Sequence, residues 1–367
     1  MSVLIVIIVF SILVVIHELG HFIAAKQAGV KVEKFAIGFG PALFKIKGRE
    51  TEFSVCLFPL GGYVKLAGDS RLEHKGFNNE FFSKAPGVRM RIVFAGPLFN
   101  YLLALIIFWI IAMVGFSYPA AVVGKVSEGY PAAQAGVKEG DKILAVNNKN
   151  VTTWVDMARI IYTAKEKVNL EVEREGENIS IEVPLREKEI IDDFGRKKNI
   201  SVIGISASSE VEIISYGFFR GFVQGAQALF NLTFLVIKGF VFIILGLIPF
   251  KEAMAGPIGI YYITSEAAKI GGTAVLQLMA VLSVSLCIVN LFPIPVLDGG
   301  HLFFFFMEKM RKKPLREKTE DILTRVGFTF LILLIIFVFY NDILRFGPKI
   351  LKNGKNISTK NEEKALP

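Results

Sequence analysis

Two histidines, His17 and His21, stand four residues apart with Glu18 between them, in the stretch HELGH. On a helix, positions i and i+4 project from one face, so both imidazoles can reach a single metal ion. Neutral imidazole suits Zn2+. A carboxylate beside the first ligand can act as general base toward the water that attacks in a hydrolysis. Five-residue matches of this kind also occur in ordinary helices, and here the surroundings add the meaning. The flanking run, SILVVIHELGHFIAA, is otherwise apolar. A charged side chain at bilayer depth costs roughly 2.5–3.5 kcal/mol on insertion scales. Three ionisable groups placed together there need a shared partner, and a divalent cation is one.

Catalytic zinc commonly takes three protein ligands and leaves a fourth position for water or substrate. A third ligand is therefore expected elsewhere at membrane depth. Asp298, in NLFPIPVLDGGH, sits beside an apolar run where an unpaired aspartate is costly. Pro293 and Pro295 interrupt helical hydrogen bonding, and Gly299 and Gly300 permit an unusual turn that can aim the carboxylate inward. The competing reading is a helix cap at the interface. His301 reads as an interfacial histidine or a partner of the ligands, and His74 has no visible companion. Asn100 reads equally as a group near the site or as a helix cap.

The elements that must hold these residues are membrane spans. Of the 367 residues 53% are apolar, with 33 phenylalanines, and several runs approach the roughly 20 residues a bilayer-crossing helix needs. A polytopic α-helical membrane protein is expected. The formal charge of +9 is concentrated beside the apolar runs, in KQAGVKVEK, GVRMRIV and MEKMRKKPLREK, as the positive-inside bias produces, and nucleic-acid binding is excluded. Two cysteines far apart give no disulfide framework. The N-terminal run lacks a basic leader and a small-residue cleavage site, so it is expected to be a retained span.

About four transmembrane helices are expected, near residues 3–25, 92–116, 275–297 and 326–340. The N-terminal membrane core takes residues 1–119 and includes a β-rich region at about 26–90. There FAIGFGPALFKIKGRE reads as strand, Gly-Pro turn and strand, and TEFSVCLFPLGGYVKL reads as a further strand. Residues 120–206 are charged, alternate in places, and suit one inserted α+β domain. Residues 207–274 form an interfacial or re-entrant amphipathic region, 275–345 the C-terminal membrane core, and 346–367 a polar tail. If the HELGH and Asp298 ends of their spans are to meet, residues 218–250 cannot cross once by themselves, although their hydropathy resembles a span.

PAAQAGVKEGDKIL resembles the PDZ domains of bacterial proteases, which implies an amphipathic helix at 152–164 and a peptide groove bordered by Gly204 and Ile205. With HELGH in the first span and NLFPIPVLDGGH in a later one, the chain resembles the site-2 protease family of intramembrane zinc metalloproteases, in its bacterial RseP-like branch. GFGP, PLGGYVK, AGPLFN and GPIGI match that branch as well. The resemblance implies that His17, His21 and Asp298 bind zinc, that Glu18 activates water, and that Asn290 helps hold the substrate backbone. It also implies a membrane-associated β-sheet, including Gly38 and Gly40, whose edge receives substrate. The family's tandem PDZ pair has room for only one member here.

The activity so implied is endoproteolysis of single-pass membrane proteins, such as anti-sigma factors or signal-peptide remnants. The enzyme would lie in the inner, cytoplasmic membrane, its active site toward the cytoplasm and its PDZ-like domain outside. The lipid bilayer and a peptide C-terminus at the PDZ-like domain are the other expected partners. The alternatives are a non-catalytic PDZ-type adaptor with structural zinc and a metal transporter.

Overall fold

The computed structural model describes residues 2–191, 197–249, 251 and 254–363. The chain divides into two compact units, one of Met1–Trp109 with Gly225–Pro367 and one of Ile110–Gln224.

In the first unit α1 (Ser2–Gln27) is almost wholly apolar. It ends where Gly29 takes a left-handed φ of +65° and Val30 N–H bonds back to the Ala25 carbonyl at 2.9 Å. Helix α2 (Pro86–Val114) carries Pro97 inside it. The two helices touch through glycines, since a Cβ on Gly20 would meet the Ala95 carbonyl and the Gly96 Cα. Side chains cannot come between backbones that close.

Between these helices lie β1 (Val32–Lys47) and β2 (Glu52–Leu66). The chain reverses at the Gly-Pro pair at 40–41, as the strand–turn–strand expectation has it, because 34–37 and 42–47 run in opposite directions along 52–56. Gly38 and Gly40, at φ +86° and +88°, permit that turn, and a second reversal falls at Gly48–Thr51, closed by a 2.9 Å Gly48 N–H to Thr51 bond. The two arms of β1 pair separately. Ala42–Lys47 lies opposite Glu52–Cys56, while Ile37 faces Val55 on one side and Gly62 on the other. Four segments result, in the order 42–47, 52–56, 32–37, 62–66. Residue numbers rise together along 34–37 and 52–55, as in parallel neighbours, and run oppositely in the outer two pairings. The 62–66 segment packs on α1, where a Cβ at Gly62 would touch Val14 and the Glu18 Cγ. The far hairpin exposes Phe44 and Ile46, each about 70% accessible.

The second unit begins with β3 (Phe116–Pro119) and β4 (Val123–Val126), and a single turn of helix, α3 (Pro131–Gln134), comes after them. Its centre is a four-stranded antiparallel sheet in the order β6 (Lys149–Asn150), β5 (Lys142–Val146), β7 (Lys167–Arg174), β8 (Glu177–Pro184). Alternating Val168, Leu170 and Val172 of β7 are buried with Ile143, Val183 and Ile203, beneath Met157 and Ile161 of α4 (Trp154–Thr163). Thr153 caps α4 by accepting the Asp156 N–H. Three further antiparallel pairs belong to the unit. In one, β9 (Arg186–Ile191) meets β10 (Lys197–Val202); in another, β4 meets β11 (Ile205–Ala207). In the third, β3 meets β12 (Val211–Ile214), which carries the unit past residue 206, into what was expected to be interfacial sequence.

The later helices are α5 (Phe218–Ile244), α6 (Pro257–Ile270), α7 (Gly272–Asn290), α8 (Asp298–Arg311) and α9 (Glu317–Glu363). Among the described residues five helices are long and apolar enough to cross a membrane, α5 included, where four were expected. The glycines and Lys238 do not interrupt α5, because its backbone bonds are satisfied within the helix. Short α6 packs against α1, α7 and α9. Its N-terminus is held by Asp342 of α9, a fully buried carboxylate that accepts from Gly256 N–H at 3.0 Å and Gly259 N–H at 2.8 Å. Those first-turn donors have no partner in their own helix, so the acid satisfies them and faces the positive end of the dipole.

Candidate active site

His17 and His21 lie one turn apart on α1, and Asp298 is the first residue of α8. The loop from Leu291 to Leu297 sets that position. Ile294 N–H bonds to Phe292 at 2.7 Å and Leu297 N–H to Ile294 at 2.9 Å, so the chain coils tightly around the two prolines. Gly299 and Gly300 then press on the Leu291–Pro295 backbone, where any Cβ would collide. Both glycines are helical residues of α8, and it is this close packing, not an unusual turn, that fixes where Asp298 stands.

The three donor atoms converge. Asp298 Oδ2 is 3.2 Å from His17 Nε2 and 3.5 Å from His21 Nε2, and the two Nε2 atoms are 3.3 Å apart. Tetrahedral zinc with bonds of about 2.0–2.1 Å sets its ligands about 3.3–3.4 Å apart. Asp298 Oδ2 is buried with no hydrogen-bond donor. Three lone-pair-bearing atoms directed at one point repel each other unless a cation sits among them, so the residues fit zinc. Among the described residues this is the one cluster of three such groups.

The outer nitrogens of both imidazoles are also engaged. His21 Nδ1 donates to the Ile92 carbonyl at 3.0 Å, which leaves Nε2 with its lone pair. This carbonyl lies beside the stretch that Pro97 disturbs, since proline provides no N–H for the Val93 carbonyl. His17 Nδ1 lies 3.4 Å from the Asn100 amide nitrogen, while Asn100 Oδ1 is buried without a partner. Turning that amide over satisfies both groups, because Oδ1 then accepts from Nδ1–H. Asn100 is 1% exposed, and its carbonyl takes a 2.7 Å bond from Ser283 of α7. Asn100 is thus a partner of the site and not a helix cap. Gly96 is a site residue that sequence reasoning missed. A Cβ there would collide with the imidazoles of both His17 and His21. Its only sequence signal is the AGPLFN motif.

Glu18 faces the strand edge, and its carboxylate takes a hydrogen bond from the Val64 backbone. Its neighbours line a cavity of about 400 Å3 with His17, His21, Asp298, Tyr63, Val64 and His301. Phe82 closes one part of that wall, between Arg71 at 4.9 Å and Arg89 at 5.2 Å. Arg71 pairs with Glu320 at 3.2 Å and Arg89 with Glu308 at 2.6 Å. Gly38, Gly40 and Asn290 are not among the residues lining the cavity. The glycines instead shape the bend of β1 against Phe58, and Asn290 ends α7. His74 bonds to Ser83 at 2.9 Å, outside the cavity. Gly204 and Ile205 do line a groove of the second unit, with Tyr130, Trp154, Met157 and Lys188. Gly204, at φ +87°, lies so close to Tyr130 that no Cβ fits.

A HExxH helix with a distant aspartate, set among apolar helices, defines a membrane zinc metalloprotease. The model of peptidase family M50 matches residues 5–334, and the chain belongs to that family, which includes the site-2 proteases. It is similar to the zinc metalloprotease RasP of Oceanobacillus iheyensis, 30% identical over 92% of this chain and 98% of the other. RasP of Geobacillus kaustophilus is 29% identical over 93% and 97%. A Campylobacter jejuni protein, provisionally described as a zinc metalloprotease, is 33% identical over 92% of each chain. Among solved structures, the PDZ domain of an SdrC-like protein from Listeria monocytogenes matches 24% of this chain and 88% of its own at 22% identity and a TM-score of 0.20.

Proposed function

We propose that this metalloprotease cuts single-pass membrane proteins within or near their spans. The observation that carries the reading is the seating of His17 and His21 on α1, an apolar helix of 25 span-forming residues, where Asp298 of α8 meets them. Zinc, when bound by His17, His21 and Asp298, supplies a Lewis acid that polarises a carbonyl and acidifies water. Glu18, held by the Val64 N–H, takes a proton from the attacking water and passes it to the leaving amine.

A substrate helix hides its peptide bonds, so it must unwind and find new partners for the freed groups, each costing several kcal/mol in lipid if left bare. The outer edge of segment 62–66 can provide them. Ala67 N–H bonds inward to Lys31, whereas Leu66 N–H turns to Asp69 and the Val64 backbone reaches Glu18. By alternation, the backbone N–H and C=O groups of even-numbered residues in this segment point outward from the sheet edge. An extended substrate added there lies beside Glu18 by β-augmentation. On this reading the receiving edge is segment 62–66, and Gly38 and Gly40 serve the turn of β1.

Asp298 meets the C-terminal half of α1 and comes just after the end of α7, which favours parallel crossings for these two helices. Helices α5 and α6 together then account for an even number of passages. The basic residues near 26–90 and 309–318 favour a cytoplasmic active site in a bacterial inner membrane, with the PDZ-like unit outside. Its groove along Gly204 and Ile205 suits a peptide C-terminus, such as one exposed by prior trimming of an anti-sigma factor or a signal-peptide remnant.

The test is cleavage of a model transmembrane substrate by purified protein in bilayers. Wild type is expected to cut, and Glu18→Gln to bind zinc normally without cutting. Equal cleavage by the two would remove Glu18 from the chemistry.

A further inference from the structure

We propose that the outer face of α8, with the basic turn after it, docks on the anionic headgroups of the leaflet next to the active site. The proposal rests on the bilayer setting of the chain and is independent of its substrates.

Helix α8 has two faces of different character. Asp298, His301, Phe305 and Glu308, spaced i, i+3, i+7 and i+10, turn toward the protein, the last paired with Arg89. Phe303, Phe306 and Met310, spaced i, i+3 and i+7, are 49%, 49% and 68% exposed. At 3.6 residues per turn the two sets lie about 150° apart. The inner set explains how Asp298 is held. Among the described residues the outer set is engaged only by the ring of Phe304 beside Phe303.

The C-terminal end of α8 and the turn beyond it are strongly basic. Lys309, Arg311, Lys312, Lys313, Arg316 and Lys318 are all exposed. Among the described residues none has a carboxylate in ion-pair reach, and the nearby Glu308 and Glu320 are already taken by Arg89 and Arg71. Water alone would satisfy such a cluster, but the exposed aromatic stripe on the same short helix would then be unaccounted for.

The flanking helices fix where this surface can be. Apolar α7 ends seven residues before α8, and the candidate span of α9, Lys318–Phe346, follows it, with an uncharged stretch from Val326. A 14-residue helix reaches about 21 Å, short of the roughly 30 Å hydrocarbon core, and its charges forbid crossing. It is therefore tethered at both ends to the membrane boundary. An aromatic face with a cationic rim at that depth suits the headgroup layer, with rings among the acyl ends and cations among phosphates. Zwitterionic headgroups bring no net charge to so many unpaired cations, whereas anionic ones do. Since Asp298 is the first residue of α8, the same contact steadies the helix that presents the metal ligand.

The experiment uses full-length protein in bilayers, with a fluorophore on Met310→Cys; the native Cys56 and Cys287 are buried. Nitroxide-labelled phosphatidylglycerol and phosphatidylcholine are compared as quenchers at equal mole fraction. Phosphatidylglycerol is expected to quench about threefold or more strongly, and added salt to reduce the difference. In the K309Q/R311Q/K312Q/K313Q background the two lipids should quench alike. Zinc content verifies that the variants are folded. Equal quenching by both lipids in the charged protein would overturn the anionic preference. Absence of quenching by either would remove the surface from the membrane and leave a protein partner as its occupant.

Discussion

Replacing Gly96 with alanine adds a single methyl group against the metal ligands. Its Cβ would stand 2.9 Å from His17 Cε1 and 2.5 Å from His21 Cε1, and closer still to His21 Nε2. Ordinary contact begins near 3.4 Å, so the rings must yield by about 0.5 Å and 0.9 Å. Metal–ligand distances tolerate only about 0.2 Å. Neither ring is free to swing, because His21 Nδ1 is bonded to Ile92 and His17 Nδ1 abuts Asn100. Retreat of α2 would open the close contact of Gly20 with Ala95 and Gly96 and lose that packing. Changes to partners one bond away from a metal typically cost 10–100-fold in affinity, and this intrusion acts on the ligands directly, so a loss of about 100-fold or more is expected. Overpacking should also lower stability by roughly 1–3 kcal/mol. Zinc titration against a competing chelator reads the first effect, and thermal unfolding of the metal-free protein reads the second. Gly20→Ala is the control, because it forces the helices apart without touching an imidazole and should cost stability more than affinity. If Gly96→Ala binds zinc as tightly as wild type and cleaves at the same rate, the close packing of α2 on the ligand rings is wrong.

Asn100→Leu should weaken zinc binding about 10–100-fold, whereas Asn100→Asp should largely restore it by still accepting from His17 Nδ1–H; equal affinity in wild type and the Leu variant would exclude the amide contact. Asp141 of the second unit provides a pH test. Burial alone would raise its carboxyl, but the bidentate Arg174 guanidinium at 2.8 Å and the Lys138 N–H outweigh burial and hold it below the ordinary range. A depressed folded pKa contributes stability that is complete above the unfolded value of about 3.9 and is lost as pH falls through the folded one. Asp141→Asn should therefore destabilise β5 and β7 by roughly 2 kcal/mol at neutral pH, with the gap closing below about pH 4. Hydrogen exchange of those strands measures this, and a gap that persists unchanged at low pH would contradict it.

The candidate ligands were legible in the sequence because their cost is local. Two histidines and an acid in an apolar helix, and an aspartate beside another apolar run, are each expensive wherever the chain goes, so their types alone announced a shared cation. The strand-forming character of 32–66 was legible for a similar reason, but its pairing was not. Gly40–Pro41 is the turn its composition suggests, but its two arms do not pair with each other: Glu52–Cys56 lies between them, and Ile37 serves both Val55 and Gly62. Only the partner strands reveal that arrangement. Distance in sequence hides the rest in the same way. The pairing of 116–119 with 211–214 joins segments some 90 residues apart, and no local pattern marks either as the other's neighbour. Gly96 offers no polar group at all. It matters only because two rings on another helix need the volume that a methyl would fill, and Asn100 matters because one of those rings has a second nitrogen. Residues that carry the reaction disclose themselves by their own chemistry. Those that set its geometry do so by what they leave room for, which only the packed chain can show.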